Sequence, residues 1–282
     1  MRGVPREAPP LDFIARMARQ SGSIIKRYYD KPKQQAVEFK TDGTKVTAAD
    51  HAVHEYVVNR MAEHFPRLPI IGEEGVVGQR TGDPNEFWLL MDELDGTHAF
   101  THGIPVSVVM IALMEGDHPI RSAIADPFSN RLYKAGLGMG AYLNGSRIHV
   151  QKKTPAYPIA NVSSWPHNGK SDMLVPEMVS GVAGDLHHLL HCEIEAIGGI
   201  GLAETRVASG EFSATVFPGT HSWDTAAGDL LVREAGGITT DLHGKPLRYS
   251  DSFDGGGTEG HIFAATKDLH TSIVKVVKKY YP

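Results

Sequence analysis

The stretch WLLMDELDGTHAF, Trp88 to Phe100, constrains the fold more than any other part of the chain. Phe87 to Met91 is apolar at every position, without alternation. A strand of that kind is buried on both faces, so its sheet needs cover on both sides. Yet the run ends directly in Asp92, Glu93 and Asp95. Carboxylates so close together repel, and burial raises the cost of charging them. Something positive is therefore expected among them. In an extended segment Asp92 and Leu94 face one way and Glu93 the other. Asp95 is expected past the strand end, where Gly96-Thr97 starts a helical turn. Carboxylates suit Mg²⁺, a hard ion that prefers oxygen, and free N–H groups at a helix start suit phosphate. The alternative is a solvated acidic turn in which Asp95 only caps a helix.

Two further acidic segments have the same character. Gly72-Glu73-Glu74-Gly75 follows a short apolar strand, Leu68 to Ile71, and taken alone reads as a surface turn. In HSWDTAAGDLLVREAGG, residues 221–237, Asp224 sits in the first turn of a helix, where the dipole favours an anion. Taken alone, it reads as an N-terminal cap. Ala226, Ala227 and Gly228 let that helix approach a neighbour closely.

The remaining pattern predicts helices and strands in two styles. Leu11, Ile14, Met17, Ala18, Ile24, Ile25 and Tyr28 recur at helical spacing. A loop is expected over KPKQQAVEFKTDGTK, and Thr47 starts a second helix to about Phe65, with Asp50 in capping-box position. Strands are expected at 106–114, 120–126 and 131–135, and Asn144-Gly145 marks a hairpin. Beyond about residue 152 strands alternate with helices at 173–191, 202–209, 223–235 and 267–279, with Gly236-Gly237 closing the third of these. The layout predicts a tail over residues 1–10, an N-terminal α+β half over 11–152 and a C-terminal α/β half over 153–282.

Composition narrows the functional classes. The 282 residues carry a formal net charge of -5, which gives no basis for nucleic-acid or anionic-membrane binding. The single cysteine, Cys192, fits a reducing compartment, so a cytoplasmic location is expected. No apolar run is long enough to cross a membrane as a helix. His187 and His191 stand at i, i+4 and could bind zinc, but no further ligand signature accompanies them, and a solvated helix face is expected. Gly198-Gly199-x-Gly201 is read as a flexible loop at the mouth of a site, carrying substrate contacts.

Taken together, "KTDGTKVTAAD", "GEE", "DELDGTHAF" and "WDTAAGDLLVREAGG" resemble, in order and spacing, the inositol monophosphatase family of Mg²⁺-dependent, lithium-sensitive phosphatases. The resemblance implies a layered αβαβα sandwich of the α+β class, a small phosphorylated metabolite as substrate, and a homodimer. It implies that Glu73, Asp92 and the Leu94 carbonyl hold one Mg²⁺. Asp92, Asp95 and Asp224 would hold a second, and Glu73 would help hold a looser third through water. The water-activating pair falls on Asp50 and Thr97, and the Gly96 and Thr97 amides would receive the phosphate. Asp95 and Asp224 would also border the substrate.

Three positions depart from the family's pattern. Glu93 replaces a proline and is expected to point outward. Ala99 replaces an asparagine. Phe217 replaces a glutamate that bonds substrate hydroxyls, and an apolar ring there suits a less hydroxylated leaving group. Other phosphatases of the same family, acting on 3′-phosphoadenosine 5′-phosphate, fructose 1,6-bisphosphate or histidinol phosphate, are the alternatives within the enzyme class. An inactive scaffold of this fold that binds a protein or RNA is the alternative outside it.

Overall fold

The computed structural model describes residues 8–31, 37–40, 45–163, 174–249 and 258–281. At its centre lies the strand that the apolar run predicts, β5 (Phe87–Asp95), buried along nearly its whole length. It pairs in parallel with β3 (Ile70–Gly72) and antiparallel with β6 (Val108–Glu115). The sheet continues through β7 (His118–Asp126), β8 (Arg131–Gly136), β9 (Gly140–Leu143) and β10 (Ser146–Ile148). On the other edge lies β4 (Gly75–Val77), which makes eight strands. Asn144 and Gly145, both at positive φ (49° and 88°), form the tight turn between β9 and β10. That is the backbone a two-residue hairpin favours and Asn-Gly accepts.

Side chains leave β5 alternately into two cores. Leu89 and Met91 pack with Ile14, Met17 and Ile25 of α1 (Leu11–Tyr29) and with Val53, Val57 and Met61 of α2 (Ala48–His64). Trp88 and Leu90 pack with Ala226, Ala227, Leu230 and Leu231 of α6 (Ser222–Glu234). Each large apolar side chain buried in this way contributes about 1.5–3 kcal/mol, which is why the central strand tolerates no alternation. Beyond α6 and α5 (Ile200–Ala208) lies a second sheet, ordered β12 (Glu193–Glu195), β11 (Ile159–Val162), β13 (Ala214–Thr220), β15 (Thr258–Ala264), β14 (Ile238–Asp241). Its far face is covered by α4 (Leu174–Leu190) and α7 (Lys267–Val277). The architecture is therefore a layered α+β sandwich, αβαβα.

Several expectations change. The segment read as a loop before α2 contains an antiparallel pair, β1 (Val37–Phe39) with β2 (Lys45–Thr47). Residues 32–36 and 41–44 of that segment lie outside the described residues. The three β1 residues are all exposed, so no buried face marked the strand. At the start of the described residues, Arg121 donates to the carbonyls of Ala8 and Pro9 (3.1 and 2.6 Å), and residues 1–7 of the expected tail lie outside the described residues. His187 and His191 are exposed, and His187 Nδ1 lies 3.0 Å from the Cys192 carbonyl. Among the described residues no helix is long and apolar enough to cross a membrane.

Candidate active site

The site forms where β5 ends. Asp95, expected past the strand end, is instead the last residue of β5. A register shift between Asp92 and Asp95 separates the pairs Asp92–Met110 and Asp95–Val108. Such a bulge re-aims side chains. Leu94 turns into the α1–α2 core beside Met91, opposite to the expected direction, and Asp92 and Asp95 both feel the charge of Asp224 or Glu73. The Asp92 carboxylate accepts the Leu94 amide at 2.9 Å and pins the irregular turn. Gly96, at φ +86°, then starts the short helix α3 (Thr97–Thr101), a conformation that costs a glycine nothing.

Asp224 enters from the N-terminus of α6, where its Oδ2 accepts the His221 amide at 2.7 Å. The His221 ring stacks on Trp223, with centroids 4.6 Å apart. Asp92 stands close enough to Asp224 to feel its charge. Burial first, and then repulsion from neighbouring acids such as Glu73 and Asp95, pushes both well above the usual carboxylate range. Burial raises Asp95 to about 7 against the pull of the Gly201 and Ile200 amides. Those amides donate to Asp95 at 2.9 and 3.1 Å from the first turn of α5. The stretch read as a flexible loop is therefore a close-packed helix start. A Cβ on Gly199 would lie 2.8 Å from the Val106 carbonyl, and one on Gly201 2.4 Å from Met110 Sδ.

On the other side, Thr47 caps α2 and Asp50 closes a capping box. Asp50 Oδ2 accepts the Thr47 amide at 2.8 Å and its hydroxyl at 2.5 Å. Burial is the largest influence on Asp50, whose pKa rises to about 7. Its second oxygen lies 3.5 Å from the Thr97 hydroxyl, which donates to the Leu94 carbonyl at 2.9 Å. Asp50, Thr97 and Leu94 are thus joined in one line.

Glu73, just beyond β3, is turned toward Lys40, whose Nζ lies 2.9 Å from Glu73 and 2.7 Å from Glu74. Lys40 had a place in the quoted upstream segment but no assigned role. Two expectations do not hold. Glu93 does not point outward: it is 1% exposed and its Oε1 lies 2.7 Å from His54 Nδ1. Phe217, expected at the substrate, is 2% exposed and packs with Ile200, Ala203 and Phe212 beneath α5. Leu and Phe at strand positions with a helix above are pulled into the core by area alone.

The donor set is carboxylate and carbonyl oxygen, the chemistry of Mg²⁺ rather than of zinc or copper. Among the described residues Lys40 neutralises Glu73, while Asp92, Asp95 and Asp224 have no Lys, Arg or His partner. Their burial without a counter-charge is what a cation would relieve. Among the described residues no three acidic, His or Cys side chains are already drawn to metal-cage spacing. Glu73 is held by Lys40 and Asp95 by α5.

The layered α+β fold is shared with solved inositol monophosphatases. The pattern of the inositol monophosphatase family matches residues 8–281, and the chain belongs to that family. It is 29% identical over 263 residues to a fructose-1,6-bisphosphatase/inositol-1-monophosphatase of Aquifex aeolicus, covering 93% of each chain. It is 30% identical over 237 residues to the Nus factor SuhB of Escherichia coli K12, covering 84% of this chain and 86% of that one. An IMPase structure from Thermotoga maritima superposes with a TM-score of 0.80 at 25% identity, covering 96% and 97% of the two chains.

Proposed function

We propose that the chain hydrolyses a small phosphate monoester, with Mg²⁺, by direct attack of water. The observation that carries this reading is the buried trio Asp92, Asp95 and Asp224, which has no Lys, Arg or His partner among the described residues and stands next to the Thr97–Asp50 line. Glu73, Asp92, the Leu94 carbonyl, Asp95 and Asp224 would hold two to three Mg²⁺ ions. When bound, Mg²⁺ supplies charge stabilisation for the attacking and leaving oxygens. The Thr97 hydroxyl orients the attacking water and passes its proton to Asp50, whose pKa near 7 suits a base at neutral pH. The Gly96 and Thr97 amides orient the phosphate. Asp95 and Asp224 border the leaving group. Phe217 shapes that border only from beneath, through Ile200.

Release of inorganic phosphate with and without Mg²⁺ tests the reading. The panel is inositol 1-phosphate, fructose 1,6-bisphosphate, histidinol phosphate and 3′-phosphoadenosine 5′-phosphate. The two activities named for the Aquifex relative make the first two compounds the leading candidates. Turnover is expected only with the cation, and Li⁺ is expected to inhibit it. Metal-independent turnover would overturn the cation reading, and absence of turnover on every ester would leave the chain as a scaffold. The name Nus factor SuhB among its relatives makes a protein or RNA partner the next assay in that case. A homodimer is part of the same proposal and is read from sedimentation.

A further inference from the structure

Behind the site, in the layer between the two sheets, lies a buried pair that the proposed chemistry does not use. Glu204 of α5 and His261 of β15 are each 0% exposed. Glu204 Oε1 stands 3.1 Å from His261 Nε2. Neither carboxylate oxygen of Glu204 has a hydrogen-bond partner at proper angles, nor has His261 Nε2. A buried carboxyl in this condition costs several kcal/mol unless it is neutral or paired. Such a cost points to a role other than packing.

Glu204 lies one helical turn beyond Ile200 and Gly201, whose amides grip Asp95. Its carboxyl lies flat on Gly228 of α6, where a Cβ would come within 1.8 Å of Glu204 Oε2. Gly228 in turn lies one turn beyond Asp224. At the far end His261 Nδ1 is 3.3 Å from the Thr225 hydroxyl and 3.5 Å from that of Thr220. Thr225 Oγ1 donates to the His221 carbonyl at 3.1 Å, and the amide of the same His221 holds Asp224. A continuous line of contacts therefore runs through the interior from the cradle of Asp95 to the cap of Asp224.

Proton placement agrees with this geometry. Burial, reinforced by Asp95, Asp224 and Asp229, pushes Glu204 well above the carboxylate range, while burial pushes His261 down to about 3. The neutral form has the acid proton of Glu204 facing Nε2, and Nδ1–H facing the threonine hydroxyls. Every donor then has an acceptor in one direction, ending at His221.

We propose that Glu204 and His261 are positioning residues that couple the start of α5 to the start of α6 and so set the separation of Asp95 and Asp224. Glu204 acts as a hydrogen-bond donor, not as an added charge. The inference rests on the cation-binding reading above, and its test reads cation binding directly. Calorimetric titration of Mg²⁺ into the metal-free protein is the measurement, with metal-free thermal unfolding alongside. Glu204→Gln keeps the shape and a donor, and is expected to bind Mg²⁺ within about twofold of the parent chain. Glu204→Ala and His261→Asn are expected to lose about tenfold, the scale of lost outer-shell support. The double variant is expected to lose no more than either single one.

Equal losses in the Gln and Ala variants overturn the donor role, since charge would then be the agent. Unchanged affinity in folded Glu204→Ala and His261→Asn overturns the positioning role, and so does failure of both to fold. Absence of Mg²⁺ binding by the parent chain removes the cation reading itself, whereas tight parental binding with unaffected variants removes only this inference.

Discussion

The Lys40 ammonium lies 2.9 Å from a Glu73 oxygen and 2.7 Å from one of Glu74, so a side chain of this protein holds the place that a cation would contest. The two carboxylates keep Lys40 charged more strongly than burial discharges it. Lys40→Gln therefore removes a competitor and a stabiliser together. Mg²⁺ affinity by calorimetry is expected to rise a few-fold, while metal-free stability at neutral pH falls by about 1 kcal/mol, the scale of a partly exposed ion pair. An unchanged or weaker Mg²⁺ affinity would show that Glu73 is not a ligand.

Asp95 serves two partners, the α5 amides and the neighbouring acids. Asp95→Asn keeps an oxygen acceptor for one amide and removes a charge from a crowded pocket. Turnover is expected to fall at least ~100-fold, the usual cost of removing a preorganised charge from a reaction centre. Metal-free thermal stability at pH 8 is expected to stay level or rise, because like-charge repulsion is relieved. Near-normal phosphate release by this variant would remove Asp95 from the cation site.

How much of this was legible follows from where the information lies. The buried strand, the capping box of Thr47 and Asp50 and the Asn144-Gly145 turn come from local pattern, the layered class comes from the family resemblance, and the structure shows each of them. The bulge between Asp92 and Asp95 was not legible, because strand alternation carries no mark of an extra residue until the partner strand is known. Glu93 was misread for a related reason. Its partner His54 lies 39 positions away on α2, and neither residue announces the other. Lys40, Glu204 and His261 belong to the same class of long-range pairs. Phe217 was judged by what it replaces, while the packing of α5 decides where its ring goes.

The Glu93–His54 pair gives the next prediction. Glu93 is buried, hydrogen-bonded to a partly buried histidine, and lies against Gly72, where a Cβ would come within 2.4 Å of Glu93 Oε1. Glu93→Ala leaves a void beside β3 and strands His54. The expected loss is about 3 kcal/mol in urea unfolding, at the lower end for breaking a buried pair because His54 can discharge. Glu93→Gln keeps the volume and an acceptor, and is expected to lose less than half as much. Equal losses would mean that charge, not fit, holds the strand end.

The last prediction concerns pH in the absence of metal. Asp50, Glu93 and Asp95 titrate near 7 in the fold, against ordinary values of 3.8, 4.5 and 3.8, and Asp92 and Asp224 are also raised, all chiefly by burial. A raised pKa means that the folded chain holds a proton the unfolded chain has released. Stability from these groups is full below their unfolded values and is lost as pH rises through the folded ones. His54, raised by Glu93, has the same sign. His261, lowered to about 3, has the opposite one, and its effect ends above its ordinary value of 6.5. Between pH 6.5 and 8.5 the acids therefore act unopposed. In EDTA the melting temperature is expected to drop across that window by roughly 5–10 °C, corresponding to a few kcal/mol in a chain of this size. Saturating Mg²⁺ is expected to abolish most of the drop, since the cation replaces the missing protons. A metal-free melting temperature that climbs with pH over the same window would show that these carboxyls enter the fold already charged and compensated, and the electrostatic case for a cation at this strand end would fall with it.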